Sequence, residues 1–237
     1  MTIVKAKTFK MKKTLHILFL LVLVSILDSC STTELLTSDV KPAEVIDLQF
    51  FEPITYVSGG KKILNDSLSN VSKQLITEIA NDFKDNISLT GTILVTNNTV
   101  KQRLEKDIEN LVMSANDIKL LNISSIRITP LIDSLLESNN KRFGLITVEQ
   151  GYIRSPKAEQ IAAAVVLGVS LFILTRGRFD PSLFPQSDKS YSGLYIMIVD
   201  ADRDDIAFYR KSHKNGDPTD KKELSDQFKK IFKGYYY

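Results

Sequence analysis

Residues 15–27 form an apolar run interrupted only by His16 and Ser25, and no other feature limits the fold of this chain more. As a helix the run would be ~20 Å long, well short of the ~30 Å hydrocarbon core of a bilayer. Met11, Lys12 and Lys13 stand close before it. A basic stretch followed by a short apolar one is the pattern of a secretory signal, which is cut away and contributes nothing to the folded domain. Residues 1–29 are therefore set aside as a signal peptide. Residues 1–10 read as an upstream extension, with Met11 the more usual start.

Setting the signal aside changes the charge. The whole chain of 237 residues has 31 basic and 28 acidic residues and a net charge of +3. Five of the lysines and one acid, Asp28, belong to residues 1–29, which leaves 26 basic against 27 acidic residues, a net of −1. A near-neutral chain has no overall field with which to gather polyanions, so nucleic acid is not an expected partner.

The apolar run closes on Leu27-Asp28-Ser29-Cys30, and Cys30 is the only cysteine. This ending resembles the lipobox of bacterial lipoproteins. The resemblance implies that the Cys30 thiol receives a diacylglyceryl group as a thioether and that the signal is cut before it. Ser29 suits the cleavage pocket and Leu27 an apolar subsite, whereas Asp28 departs from the small or apolar residue usual there. Several acyl chains on one residue anchor a protein without any polybasic patch. Ser31, rather than aspartate, follows the cysteine, which by the same resemblance favours the outer membrane, with the domain facing the periplasm. A lipidated Cys30 leaves no thiol for a disulfide or for catalysis.

Residues 30–42 are rich in Ser and Thr without hydrophobic periodicity and read as a flexible tether. Residues 43–237 read as one α/β domain, a mixed sheet flanked by amphipathic helices. Residues 45–57 are strand-like, with Pro53 suggesting an edge or a bulge. Leu64, Leu68, Val71, Leu75, Ile79 and Phe83 recur at helical spacing, as do Val100, Leu104, Ile108, Leu111 and Ala115. Residues 87–96 and 143–148 read as further strands. Thr129-Pro130 looks like an N-cap with proline at the first helical position. Residues 194–199 and 206–209 suggest a hairpin around 200–205. A last helix follows Asp217-Pro218-Thr219-Asp220, with Leu224, Phe228, Ile231 and Phe232 on one face and Gly234 placed to end it. The apolar segment 161–175 reads as a buried core helix, an oligomer contact or a membrane contact, and Phe179, Leu183 and Phe184 follow it on a loop.

Chemistry-bearing patterns are sparse. Asp200, Asp202 and Asp204 resemble the opening of a calcium loop, but Asp205 stands where glycine is needed and Lys211 where a bidentate glutamate is needed. His213 is the one histidine beyond the signal and sits in a charged stretch that reads as an exposed loop. Gly60-Lys61 fails as a phosphate loop, because Thr55 holds the first glycine position and Lys62 the hydroxyl position. No catalytic residue, metal site or cofactor is expected, and the chain is not expected to be an enzyme.

Three stretches, Arg142 to Ile146, Tyr195 to Asp200 with Ile206 to Tyr209, and Asp217 through Tyr235, resemble parts of uncharacterised lipoproteins of Gram-negative bacteria. More distantly, the strand–helix order is similar to the domain shared by curli-secretion channel lipoproteins, lipoprotein activators of penicillin-binding proteins and the amino-terminal domain of the Tol translocation protein. These resemblances imply a protein that binds or regulates another envelope component, or else a subunit of an oligomeric secretion or envelope assembly. The expected partners are the membrane, through Cys30, and an envelope protein or further copies of the chain.

Overall fold

The interior strand of this protein is written twice. Leu48–Phe51 (β2) is buried throughout, and after Glu52-Pro53 the same line resumes as Ile54–Gly59 (β3). Both halves run parallel to one long strand, Phe143–Ile153 (β6), with Phe50 opposite Leu145 and Ile54 opposite Val148. Pro53 was expected at an edge or a bulge. It instead divides an interior strand, at the point where the outer neighbour changes from Leu89–Ile93 (β5), parallel to β2, to Ile63–Leu64 (β4), antiparallel to β3. Proline has no N–H to give a ladder, so a break where the neighbour changes is where it is tolerated.

The computed structural model describes residues 36–59, 63–117, 123–154 and 190–236. The signal peptide, Cys30, the segment 161–175 and Phe179, Leu183 and Phe184 lie outside the described residues. On its other side β6 pairs antiparallel with Tyr191–Asp200 (β7), which pairs antiparallel with Asp205–Asn215 (β8). Leu36–Thr37 (β1) closes this edge, antiparallel to β8. The result is a mixed eight-stranded sheet, and every described residue belongs to one compact unit, Thr32–Tyr237.

Among the described residues, four α-helices cover the sheet on both faces. Asp66–Asp82 (α1) and Lys221–Phe232 (α4) bury Ile76, Ile79, Phe228 and Phe232 against Phe50, Leu145, Ile196 and Phe208. Asn98–Asp117 (α2) and Pro130–Ser138 (α3) bury Leu104, Ile108, Ile132 and Leu136 against Phe51, Ile146, Met197 and Val199. Alternation along β6 sends Phe143 and Leu145 to the first layer and Ile146 and Val148 to the second. The fold is α/β, a mixed sheet between amphipathic helices, in agreement with the sequence.

The helix starts show how the local sequence works. Asn65 caps α1, its Oδ1 accepting from the Leu68 N–H at 3.1 Å, and Asp220 caps α4 by accepting from the Glu223 N–H at 2.9 Å. Thr129 occupies the N-cap position of α3, but its side chain makes no capping bond. Gly234 ends the α4 region with φ +83°, a conformation that side chains resist.

The segment read as a tether is shorter than its composition suggests. Leu36 and Thr37 pair with Tyr209 and Phe208, the Ser38 N–H donates to the Ala207 carbonyl at 3.0 Å, and Val40 is buried. Backbone pairing at a sheet edge asks for no hydrophobic period, so Ser- and Thr-rich residues could join the sheet unannounced. The β7–β8 hairpin turns at 201–204, with a bulge that leaves Ala207 extra between Ile198 and Val199.

Arg142 holds the start of β6 to the end of β7. Its Nε and a terminal nitrogen donate to the two oxygens of the fully buried Asp200 at 2.8 and 2.6 Å, and its guanidinium lies 4.6 Å from the centre of the Phe143 ring. Removing one member of a buried pair strands the other charge. Arg142→Ala is therefore expected to destabilise the domain by about 3 kcal/mol in denaturant titration. An unchanged midpoint would show that the pair contributes nothing.

Candidate functional site

Position 149 breaks the pattern of β6. A strand paired on both sides and covered on both faces should be apolar throughout, yet Glu149 is completely buried. It faces the α1–α4 layer. From α1, the Ser72 hydroxyl lies 2.5 Å from Oε2. From β7, the Ser192 hydroxyl donates to Oε1 at 3.3 Å, and from α4 the Gln227 amide donates to the Ser192 oxygen at 3.0 Å. One carboxyl thus gathers three further elements around a single strand.

The electrostatics follow from that setting. No cation stands beside this carboxyl among the described residues; its partners are hydroxyls, and the nearest charge acting on it is the Asp217 carboxylate. Burial pushes Glu149 up to about 8, overcoming the hydroxyl hydrogen bonds that favour the ionised form. The carboxyl is accordingly neutral at neutral pH. Thr147, two residues earlier on the same strand and also buried, keeps its hydroxyl without a hydrogen-bond partner, as does the Gln227 carbonyl oxygen. Close packing seals the cluster, since a Cβ on Gly151 would collide with Pro218 and come within 3.0 Å of Glu149 Oε1.

A second group of charges sits where β2 ends. Glu52 receives Lys73 of α1 at 2.5 Å and Lys101 of α2 at 2.7 Å, one on each oxygen. Burial works against ionisation of Glu52, but the two ammonium groups outweigh it and hold its carboxyl below the usual range. A small surface hollow beside it is floored by Ile54, Ile93 and Leu104. Glu105 borders the same hollow and is pushed up by burial. Glu109, further along α2, is likewise raised by burial and accepts a hydrogen bond from the Tyr56 hydroxyl. The Glu52 trio ties α1 to α2 past the strand break, and its members are partly exposed.

The residues singled out in sequence fall elsewhere. Asp200 is committed to Arg142 and to the Asp202 N–H, and Asp205 lies 3.6 Å from Arg203. The turn that resembled a calcium loop is thus an arginine-bound hairpin turn, and among the described residues no group of His, Cys, Asp or Glu side chains is arranged to hold a metal ion. His213 does not lie on an exposed loop. It belongs to β8, half-buried, its ring edge-on to Tyr195 with centroids 5.4 Å apart. Burial lowers its proton affinity, aided by Lys211. The charged run that suggested a loop is a strand because its backbone pairs with β7, Ser212 opposite Leu194 and His213 opposite Gly193. Sequence reasoning missed Glu149, although the polar Thr147, Glu149 and Gln150 within the mainly apolar Phe143–Ile153 were the available signal.

No protein-family model matches the chain, and no curated protein sequence matches it. Among solved structures it is similar to the PelC dodecamer from Paraburkholderia phytofirmans, at 7% identity over 86% of this chain and 96% of that one, with a TM-score of 0.40. A single-residue variant of the same dodecamer gives 8% identity over 86% and 94%, with a TM-score of 0.35. At these values the likeness assigns neither a family nor a function.

The buried carboxyl has a thermodynamic consequence. A carboxyl raised from its ordinary ~4.3 to about 8 leaves the folded state holding more protons between those values. The stability tied to that proton is complete below the lower value and is lost as pH rises through about 8. Melting temperature should therefore fall by several degrees between about pH 6 and about pH 9. Glu149→Gln should flatten this slope. Parallel curves for the two proteins would exclude Glu149 as its source.

Proposed function

We propose that the chain is a lipid-anchored, non-catalytic protein of the cell envelope, whose α/β domain binds or regulates another envelope component from the periplasmic side of the outer membrane. One observation carries this reading: the only cysteine stands directly after Leu27-Asp28-Ser29, at the end of a basic and then apolar leader.

The chemistry of the domain is consistent with binding rather than catalysis. The acidic turn, its most suggestive sequence feature, has Asp200 held by Arg142 and Asp205 beside Arg203. The chain also enters the sheet at Leu36, six residues after Cys30. At the reach of extended backbone, acyl chains on Cys30 would hold the β1 edge within about 20 Å of the lipid surface. A domain kept that near a membrane meets partners in or beside that membrane.

The test uses the full chain expressed in a Gram-negative host. Wild type should incorporate an alkyne-labelled fatty acid, lose residues 1–29 and partition into detergent. Cys30→Ser should lose the label and retain its leader. Equal labelling of the two proteins, or a mature amino terminus elsewhere than Cys30, would overturn the anchor. Cross-linking in intact envelopes, followed by mass spectrometry, should then recover one envelope protein or the chain itself attached to the domain. Recovery of lipid alone would overturn the binding role.

A further inference from the structure

Helix α4 is seated on the sheet through a different kind of contact at each end of its buried face. Toward its carboxyl end Phe228, Ile231 and Phe232 pack into the core, Phe232 stacking on Phe208 at 5.4 Å. Arg210 of β8 donates there to the carbonyls of Ile231 and Lys233 at 3.1 and 2.8 Å. Toward its amino end the buried face carries Gln227, whose side-chain amide reaches Glu149 through the Ser192 hydroxyl. The lead into the helix, residues 216–219, lies over the same spot: Pro218 packs on Gly151, and the Asp217 carboxylate acts on Glu149.

Glu149 is faced from three elements and from the lead into α4. α1 offers Ser72, β7 offers Ser192, α4 offers Gln227, and the lead into α4 offers Pro218 and the negative Asp217. Tyr191, further along β7, senses the carboxyl but is itself held neutral by burial. None of these supplies a positive charge. A carboxylate formed here would be buried without a counter-ion and opposed by Asp217, so it must draw in water.

Water can enter most cheaply by way of α4. Ser72 belongs to the middle of the 17-residue α1, and Ser192 belongs to a strand paired on both sides. The segment 216–219 is a turn, and the first turns of α4 contribute only Leu224 to the core before Gln227.

We propose that Glu149 is a proton latch for the amino-terminal half of α4: protonated, it seats residues 216–227 on the sheet, and on losing its proton it releases them while the aromatic carboxyl-terminal half stays docked. The proton passes to solvent and no covalent bond changes. The device answers the pH at the domain surface. It does not depend on the anchor at Cys30.

Hydrogen exchange of the full chain in detergent, read by mass spectrometry and corrected for intrinsic rates, tests this. Amides of α4 are compared with those of α3, which packs on the opposite face. Between about pH 6.5 and about pH 9 the amides of residues 216–227 of wild type should gain at least about tenfold in exchange relative to α3, while those of 228–232 should not. Glu149→Gln should abolish the gain. Should that variant fold poorly, Asp217→Asn, which keeps the acceptor used by Thr219 but removes the charge that opposes ionisation of Glu149, should shift the transition to lower pH. A constant α4-to-α3 ratio in wild type, or the same gain in both variants, would overturn the latch.

Discussion

Everything in this fold is hung on β6. It is parallel to β2 and β3 on one side and antiparallel to β7 on the other, so it joins the crossover half of the sheet to the hairpin half. Both helical layers rest on it. Its packing is close enough that position 144 admits no side chain, since a Cβ on Gly144 would stand 2.6 Å from Phe51, 3.1 Å from Val199 and 3.2 Å from Leu136. That glycine lets α3 settle near the strand. A strand with so many neighbours has almost no freedom in what it can carry, which makes its buried polar positions, Thr147, Glu149 and Gln150, costly to accommodate.

Two buried acids on adjacent strands illustrate opposite answers to the same problem. Asp200 ends β7, where the chain reaches the rim of the sheet and Arg142 can approach with its body half in water. There the acid is held in a bidentate pair, among the stronger hydrogen-bonded contacts available. Glu149 lies several residues inside the rim, beyond the reach of a long cation, and is satisfied by two hydroxyls instead. Neutral partners cannot sustain a buried charge, so the acid keeps its proton. Burial depth along the strand decides which answer is open.

Sequence alone went furthest where periodicity was strong. The apolar positions of α2, the face of α4 and the β7–β8 hairpin were all legible, and with them the α/β class. Reading failed where long-range pairing overrides local pattern. Charged residues from Arg210 to Lys214 resemble a loop until β7 is placed alongside them. Pro53 resembles an edge marker until the strand is seen to change neighbours across it. Val71 shares the helical period of α1 yet is substantially exposed, as the cluster it would join is already filled by Ile76 and Ile79. Glu149 could not be ranked by sequence, because its character depends on Ser72, Ser192 and Gln227, which lie 77, 43 and 78 positions away.

The described fold begins at an edge strand. β1 is only two residues long, yet it lies on β8 at Phe208 and Tyr209, where an uncovered edge would offer backbone to other chains. Short edge strands of this kind limit such pairing. Here the residues that do so are also those nearest Cys30. An acyl anchor at Cys30 would therefore load the outermost hydrogen bonds of the sheet first, in particular the bond from Ser38 to Ala207. Force along the tether would be borne by an edge whose loss leaves β6, β7 and both helical layers in place. A domain attached in this way can yield at its margin without giving up its core.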